Sequence, residues 1–301
     1  MSARTTLLPD EVRDRIARLE VTAANLVEGA ISGLHRSPYH GFSVEFAQHR
    51  EYTWGDELKH VDWKVFARTD RFYVKQYEEE TNLQASVLLD SSESMLFQGE
   101  GAPVSKYEYG ATLAAGLAFL LLRQQDSIGL TLFDDQVRQR LPVSAHPAQL
   151  RRMLTVMAEA EIHGESGPTQ VFHQLAEEMR RRGVVFVISD LFLPLEDVLE
   201  GIRHLRHRRH EVVVFHVLDH QELTFPFEDN TRFEGLENLP HLLSDPRSLR
   251  DAYLEEFNKF REGVEGGCQD ARADYVLVDT SLPPAQTLSR YLRQRQRRVR
   301  R

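Results

Sequence analysis

Residues 84–94 read QASVLLDSSES, and this stretch decides the fold. Its core is a short run at 85–89 that is apolar except for Ser86, which is typical of a short strand buried within a sheet. Asp90 follows without a spacer, and Ser92 and Ser94 come at alternate positions after it. A carboxylate and two hydroxyls are therefore expected directly beyond the carboxyl end of a core strand.

The chain downstream repeats this strand pattern in alternation with helices. Strands that are apolar throughout and separated by helices indicate an α/β fold, with a mostly parallel sheet covered by helices on both faces. Further strands are predicted at residues 128–133, 184–189, 211–218 and 275–278, with an antiparallel strand at 137–141. Helices are predicted at residues 107–124, 147–159, 170–182, 195–207, 246–263 and 284–293.

The first 80 residues follow a different pattern. Apolar side chains recur every three or four positions over residues 9–35, which predicts an amphipathic helix. Residues 40–80 are rich in aromatic side chains and are predicted to form short strands and turns, with one strand at 71–77. We therefore expect two domains: a small N-terminal helix and β-rich segment at 1–80, and an α/β domain with a basic C-terminal tail at 81–301.

The composition excludes several classes of protein. One cysteine, Cys268, excludes an intramolecular disulfide framework and a cysteine-rich zinc site. The N-terminus has no signal-peptide core and the apolar run at 111–122 is too short to span a bilayer, so a cytoplasmic protein with no membrane span is expected. The net charge of −9 argues against nucleic-acid binding, although the seven arginines of residues 290–301 leave RNA or an acidic partner open for the tail.

Two further polar positions are expected at the same edge of the sheet. Asp190 follows the strand at 184–189, and Thr169 opens the helix before that strand. Ligands in open α/β sheets bind beyond the carboxyl ends of the strands. The candidate site, Asp90, Ser92, Ser94, Thr169 and Asp190, offers only oxygen, the ligand type that Mg²⁺ prefers; Mn²⁺ and Ca²⁺ stay open as alternatives.

The same residues also have structural interpretations. Asp90, Ser92 and Ser94 could form a solvated turn that caps the next helix, and Thr169 could be an ordinary N-cap. Asp190 fits this interpretation less well, because a carboxylate at the end of a buried strand needs a partner. The upstream residues Asp56, Asp62, Trp63 and Arg68 are interpreted as a structural brace rather than a functional surface, since Trp54 and Trp63 are natural packing residues.

The order of these site residues around alternating strands and helices resembles a von Willebrand factor type A domain. The resemblance implies that the five positions form a metal-ion-dependent adhesion site, in which Ser92, Ser94 and Thr169 contact the metal directly and the two aspartates contact it directly or through water. Leu191 departs from the pattern, because many type A domains have glycine after the second aspartate.

A second set of residues lies upstream of the candidate site and comprises Arg50-Glu51-Tyr52, Gly55-Asp56, Val61-Asp62-Trp63-Lys64, Ala67-Arg68 and Glu78-Glu79-Glu80. With this signature, the wider chain, over roughly residues 35–295, resembles the bacterial domain-of-unknown-function family fifty-eight. Many members carry an N-terminal membrane hairpin that is absent here, so a soluble form is expected. The family resemblance also implies a companion role to MoxR-type AAA+ ATPases, in chaperone-like assembly or maturation of other complexes.

Two functions follow from the candidate site. The first is a non-enzymatic, metal-dependent protein-interaction module, in which a partner's Asp or Glu completes the coordination of the metal. The alternative is a Mg²⁺-dependent phosphohydrolase with Asp90 as the nucleophile. Dehalogenase-like phosphatases place a second aspartate two residues later as the acid/base, and Ser92 occupies that position here. A phosphate-neutralising lysine is not evident from the sequence, and the chain has no Gly-rich Lys-Ser/Thr phosphate loop, so ATP hydrolysis would come from a partner.

Overall fold

The structure is a computed structural model that describes residues 9–31, 44–53, 61–79, 83–162, 164, 168–179, 182–227, 231–233, 242–244 and 246–299. The chain divides into two compact units. The larger unit comprises Met1–Pro38 and Gln84–Arg301, and the smaller unit comprises Tyr39–Leu83.

The larger unit contains the predicted alternation of strands and helices, with most boundaries displaced by only a few residues. In chain order, the described elements of both units are α1 (Asp10–Ile31), β1 (Val44–Glu51), α2 (Trp63–Thr69), β2 (Tyr73–Glu79), β3 (Gln84–Asp90), α3 (Lys106–Arg123), β4 (Ser127–Phe133), β5 (Val137–Ser144), α4 (Gln149–Glu159), α5 (Pro168–Glu178), β6 (Val184–Ser189), α6 (Leu195–His207), β7 (Glu211–Leu218), α7 (His220–Thr224), β8 (Thr231–Phe233), β9 (Leu242–Ser244), α8 (Pro246–Asp270), β10 (Asp274–Asp279) and α9 (Pro284–Val299).

Six of the described strands form one sheet in the order β10-β7-β6-β3-β4-β5. Neighbouring strands run parallel except β5, which pairs antiparallel with β4 at the edge, as the sequence predicts. The strand β3 lies between β4 and β6, with Leu89 opposite Ile188. Because parallel strands end at the same edge, the residues that follow β3 and β6 lie side by side.

Helices cover both faces of this sheet. Alternate side chains of a strand point to opposite faces, and β6 is buried at every position. Val185 and Val187 share a core with Phe172 of α5 and Ile202 of α6. Phe186 lies on the opposite face, against the ring of Tyr291 in α9. The predicted α/β architecture, a mostly parallel sheet with helices on both faces, is confirmed.

The helix α1 belongs to the larger unit, together with the α/β sheet. The predicted boundary at residue 80 had instead assigned this helix to a separate N-terminal domain. Its apolar face, which includes Ala23, Leu26 and Val27, is buried, and the helix packs against α3, α4 and α9. Gly116 of α3 permits this approach, since a Cβ there would lie 2.6 Å from a methyl carbon of Leu26. The periodicity of α1 predicted the helix but could not show which domain supplies the other half of its core.

The smaller unit contains an antiparallel pair, β1 and β2, and the helix α2, where the sequence predicted only strands and turns. Asp62 caps α2, because its Oδ1 accepts hydrogen bonds from Lys64 N at 2.9 Å and Val65 N at 3.3 Å. Trp63 does not pack as predicted: its side chain is 56% exposed, with Phe66 and Phe72 at its edge. Asp62 thus has a structural role within its own unit, whereas Trp54 and Asp56 lie outside the described residues.

Among the residues that the structure describes, none of the helices is both long enough and apolar enough to cross a membrane.

Candidate metal centre

The carboxyl ends of β3 and β6 bring Asp90 and Asp190 to the same edge of the sheet. Asp90 is the last residue of β3, and Asp190 follows Ser189, the last residue of β6. Both aspartates are fully buried. The sequence-based prediction of two carboxylates at one edge therefore corresponds to their positions in the structure.

Neutral donors orient the Asp90 carboxylate. Its Oδ1 accepts a hydrogen bond from Ser92 N at 2.9 Å, and its Oδ2 accepts one from Ser189 Oγ at 2.5 Å. Burial, followed by the negative charge of Asp190, raises the pKa of Asp90 to about 7. The sequence analysis did not assign a role to Ser189. A hydroxyl next to the candidate Asp190, in an otherwise apolar strand, was the available signal.

The hydroxyls of Ser92 and Ser94 converge beside Asp90. Their Oγ atoms are 3.1 Å apart and buried. Ser92 begins a 3₁₀ turn, Glu93–Leu96, but makes no side-chain capping bond there. The alternative interpretation as a solvated capping turn does not fit, because the turn between Asp90 and Ser92 is buried and the Ser92 side chain makes no capping bond.

The carboxylate of Asp190 has a buried cationic partner, Lys106, at the start of α3. Lys106 Nζ donates to Asp190 Oδ2 at 2.7 Å and to Glu222 Oε1 at 2.8 Å. Burial alone would lower the pKa of Lys106, but the two carboxylates outweigh burial and raise it. The sequence analysis correctly required a partner for Asp190 but did not find this lysine. The sequence did contain a signal for this partner, because Lys106 lies in the first turn of an apolar helix, where the helix dipole disfavours a cation.

The backbone after Asp190 is held in an unusual conformation. Leu191 has φ +55°, in the left-handed region that glycine adopts without strain. Here Leu191 N donates to Ser189 Oγ at 2.9 Å, and the leucine side chain is buried in the core. Below the loop, His216 Nε2 donates to the Asp190 carbonyl oxygen at 2.9 Å, and burial lowers the pKa of His216 to about 4, so the ring is neutral.

Thr169 is the second residue of α5, but the position of its side chain lies outside the described residues. Its part in the site stays a prediction. One contact concerns the chain just before α5: Glu93 N donates to the carbonyl oxygen of Gly164 at 3.1 Å. The chain leading to Thr169 thus contacts the turn that carries Ser92 and Ser94.

The chemistry of this edge fits a hard divalent cation. Burial raises the pKa of Asp90, and repulsion by the buried carboxylate of Asp190 raises it further; a cation would relieve that repulsion. The hydroxyls of Ser92 and Ser94 are oxygen ligands of the kind that Mg²⁺ accepts, together with retained waters. In the described part of the chain, no group of three or more His, Cys, Asp or Glu side chains is placed to hold a metal. A metal here would therefore depend on hydroxyls and water as well as on the aspartates.

The chain matches the family model described as "Protein of unknown function DUF58" over residues 48–263. The chain belongs to this family. Curated proteins similar to the chain include "Uncharacterized protein Rv1480" of Mycobacterium tuberculosis (strain ATCC 25618 / H37Rv) and "Uncharacterized protein Mb1516" of Mycobacterium bovis (strain ATCC BAA-935 / AF2122/97). Each is 25% identical to this DUF58 chain over 284 residues, which cover 93% of this chain and 88% of the relative.

Solved structures resemble the DUF58 chain at lower sequence identity. An aerotolerance-related membrane protein from Bacteroides fragilis NCTC 9343 is 16% identical, with a TM-score of 0.46, over 72% of this chain and 99% of its own. The conserved hypothetical protein BatB from Bacteroides thetaiotaomicron is 15% identical, with a TM-score of 0.45, over 71% and 99%. The SpRpn10 VWA domain is 12% identical, with a TM-score of 0.39, over 69% and 94%.

Proposed function

We propose that this DUF58 chain is a metal-dependent protein-interaction module whose metal is held at the edge formed by β3 and β6. The observation that carries the proposal is the convergence of Asp90, Ser92 and Ser94 on one point, with Asp190 beside them. A bound Mg²⁺ would supply a Lewis-acidic position that a carboxylate of a partner protein can occupy. The chain's own residues hold the ion and present it.

The surface around this edge supports a protein partner. Leu96, two residues beyond Ser94, is 47% exposed, and Phe192, two residues beyond Asp190, is 36% exposed. Exposed apolar side chains next to a polar site are typical of interaction surfaces. We therefore propose that the partner contributes an Asp or Glu flanked by apolar residues.

Metal binding is tested by titrating the protein with MgCl₂ in a calorimeter, after removal of metal with EDTA. We expect one site in the wild type and none in Asp90→Ala. Because Asp90 is buried, the double variant Ser92→Ala/Ser94→Ala, which keeps the carboxylate, provides a second test and should also lose binding. Asp251→Ala, an exposed acidic position on α8, is the control and should bind as the wild type does. Equal binding by all four proteins would refute the proposed site.

The partnership implied by the family resemblance is tested separately. We propose that the partner is a MoxR-type AAA+ ATPase or a substrate complex that such an ATPase remodels. The purified ATPase from the same organism should bind the wild type in Mg²⁺, but neither the wild type in EDTA nor Asp90→Ala in Mg²⁺. Binding that is insensitive to both changes would separate this partnership from the metal site.

One observation bears on the alternative, a Mg²⁺-dependent phosphohydrolase that uses Asp90. Lys106 supplies a buried ammonium that the sequence analysis had not found, which is a group that phosphatases use to neutralise phosphate. Against this, Lys106 is already paired with two carboxylates, and both oxygens of the buried Asp90 accept hydrogen bonds. A screen of phosphomonoesters with Mg²⁺ distinguishes the functions: turnover in the wild type that is abolished in Asp90→Asn would favour the enzyme.

A further inference from the structure

Lys106 is a buried lysine of the candidate metal centre, and its ammonium group is paired with carboxylates. Its side chain is 1% exposed, and its Nζ lies between Asp190 and Glu222, within 2.8 Å of both. The same Nζ lies 4.6 Å from the centre of the Phe192 ring, which adds a cation–π contact. A lysine at a helix N-terminus opposes the helix dipole, so these contacts must outweigh an unfavourable position.

The pair between Lys106 and Glu222 continues into a hydrogen-bonded network. The second oxygen of Glu222 accepts a hydrogen bond from Asp219 N at 2.7 Å, and Asp219 Oδ2 accepts one from Gly99 N at 3.1 Å. Gly99 lies on the loop after Ser94, so the network leads from Asp190 through α7 and back to the serine-bearing loop. Lys106 therefore joins the carboxylate of Asp190 to this network and places a positive charge beside it.

We propose that Lys106 is a fixed second cation of the metal centre, which holds Asp190 Oδ2 and leaves Asp90 as the carboxylate that chiefly binds the metal. This inference rests on the proposed function and deepens it. Lys106 is a positioning residue: it lowers the affinity for the metal, and in exchange the bound ion keeps more of its positive charge for a partner's carboxylate. A site with two free carboxylates would bind Mg²⁺ more tightly and a partner's carboxylate more weakly.

The test is the double variant Lys106→Met/Glu222→Gln, titrated with MgCl₂ alone. It removes one positive and one negative charge, so the net charge is unchanged, and it frees Asp190 Oδ2. We expect Mg²⁺ to bind about tenfold more tightly than in the wild type. The Mg²⁺-induced rise in melting temperature should also be larger, because Asp190 lacks its partner until the metal binds. The matched control is Lys259→Met/Glu255→Gln, which removes an exposed pair with the same 2.8 Å separation on α8 and should leave both readouts unchanged.

The outcomes separate the two proposals. Tighter binding in the double variant than in a wild type that also binds Mg²⁺ supports the role of Lys106. A wild type that binds no Mg²⁺ overturns the metal-dependent function, and the role of Lys106 falls with it. Equal or weaker binding in a folded double variant overturns the role of Lys106 while leaving the metal site intact. Should the double variant not fold, Lys106→Gln, which keeps a donor to Asp190 but no charge, is judged by the same criterion. No Mg²⁺ binding in any variant overturns both proposals.

Discussion

Two buried acidic sites, the Asp90 site and the Asp219 site, lie at the carboxyl edge of the sheet, and their carboxylates bind different groups. At the end of β7, Asp219 is buried and its carboxylate accepts hydrogen bonds from Gln221 N at 2.9 Å, Gly99 N at 3.1 Å and Thr280 Oγ1 at 2.9 Å. Asp219 also forms a capping box with Glu222 at the start of α7. This aspartate uses its oxygens to join α7, the Gly99 loop and the end of β10.

The Asp90 site, at the end of β3, differs because a second carboxylate, that of Asp190, lies close to it. Burial, followed by the charge of Asp190, raises the pKa of Asp90. The Ser92 hydroxyl pairs with that of Ser94 and makes no capping bond. An aspartate at a strand end is therefore not a site by itself. It becomes a candidate when a second carboxylate and hydroxyls without a capping role converge on it, and the following predictions test that distinction.

The largest effect is expected at the Asp219 site, at the end of β7. Asp219→Ala removes the acceptor for three donors and the cap of α7, so the free energy of unfolding should fall by about 2–4 kcal/mol. Because no metal is involved, the loss should be the same in Mg²⁺ and in EDTA. Urea unfolding under both conditions measures it. A loss that appears only in Mg²⁺ would show that Asp219 also serves the metal centre.

The opposite pattern is expected for Asp90→Asn. The substitution removes the charge that conflicts with Asp190, so in EDTA at neutral pH the free energy of unfolding should change by less than about 1 kcal/mol. Stabilisation of the wild type by Mg²⁺ should be lost completely in the variant, because a neutral amide is a poor replacement for the anionic ligand. Thermal unfolding with increasing MgCl₂ measures both quantities. If Asp90→Asn lowers the free energy of unfolding in EDTA as much as Asp219→Ala does, the Asp90 site and the Asp219 site do not differ in kind.

The pH dependence of the metal-free protein sharpens the same contrast. Burial and Asp190 raise the pKa of Asp90 from 3.8 to about 7 in the folded protein. Between these values the folded state keeps a proton that the unfolded chain has lost, so this group's contribution to the unfolding free energy falls as pH rises from about 4 to about 7, and then levels off. Asp90→Asn should remove this component of the pH profile. Urea unfolding in EDTA across that range should therefore give different slopes for the two proteins, and identical slopes would contradict the raised pKa.

The sequence predicted the architecture because the parallel strands are buried on both faces. A strand such as β6, Val184–Ser189, has no polar position before its last residue, and that pattern is hard to mistake. The same logic located Asp90 and Asp190, since residues that end neighbouring parallel strands must share an edge. The helix α2 was missed because seven residues carry little periodicity, although Asp62 before Trp63 was a recognisable cap.

The contacts that the sequence could not predict are those between distant parts of the chain. Lys106 is 84 residues from Asp190 and 116 residues from Glu222, and no local pattern states that α3 begins beside the end of β6. Likewise, Ser189 and Asp90 are 99 residues apart. The sequence therefore predicted that Asp90 and Asp190 lie at one edge, but not that Ser189 and Lys106 orient or neutralise them, and the chemistry of the site depends on these two residues as well.

The smallest effects are expected from two hydroxyl deletions, one at the Asp219 site and one at the Asp90 site. Thr280→Val removes a buried donor to Asp219, which keeps its two backbone donors, so the loss in unfolding free energy should be about 1 kcal/mol with or without Mg²⁺. Ser92→Ala should cost less than that in EDTA, since its hydroxyl caps nothing, but it should weaken Mg²⁺ binding by about tenfold. Paired urea and MgCl₂ titrations of both variants provide the comparison. The contrary result is a Ser92→Ala variant that loses as much stability as Thr280→Val does but binds Mg²⁺ normally. The Ser92 hydroxyl would then be a structural group, and the distinction between the Asp90 site and the Asp219 site would be lost.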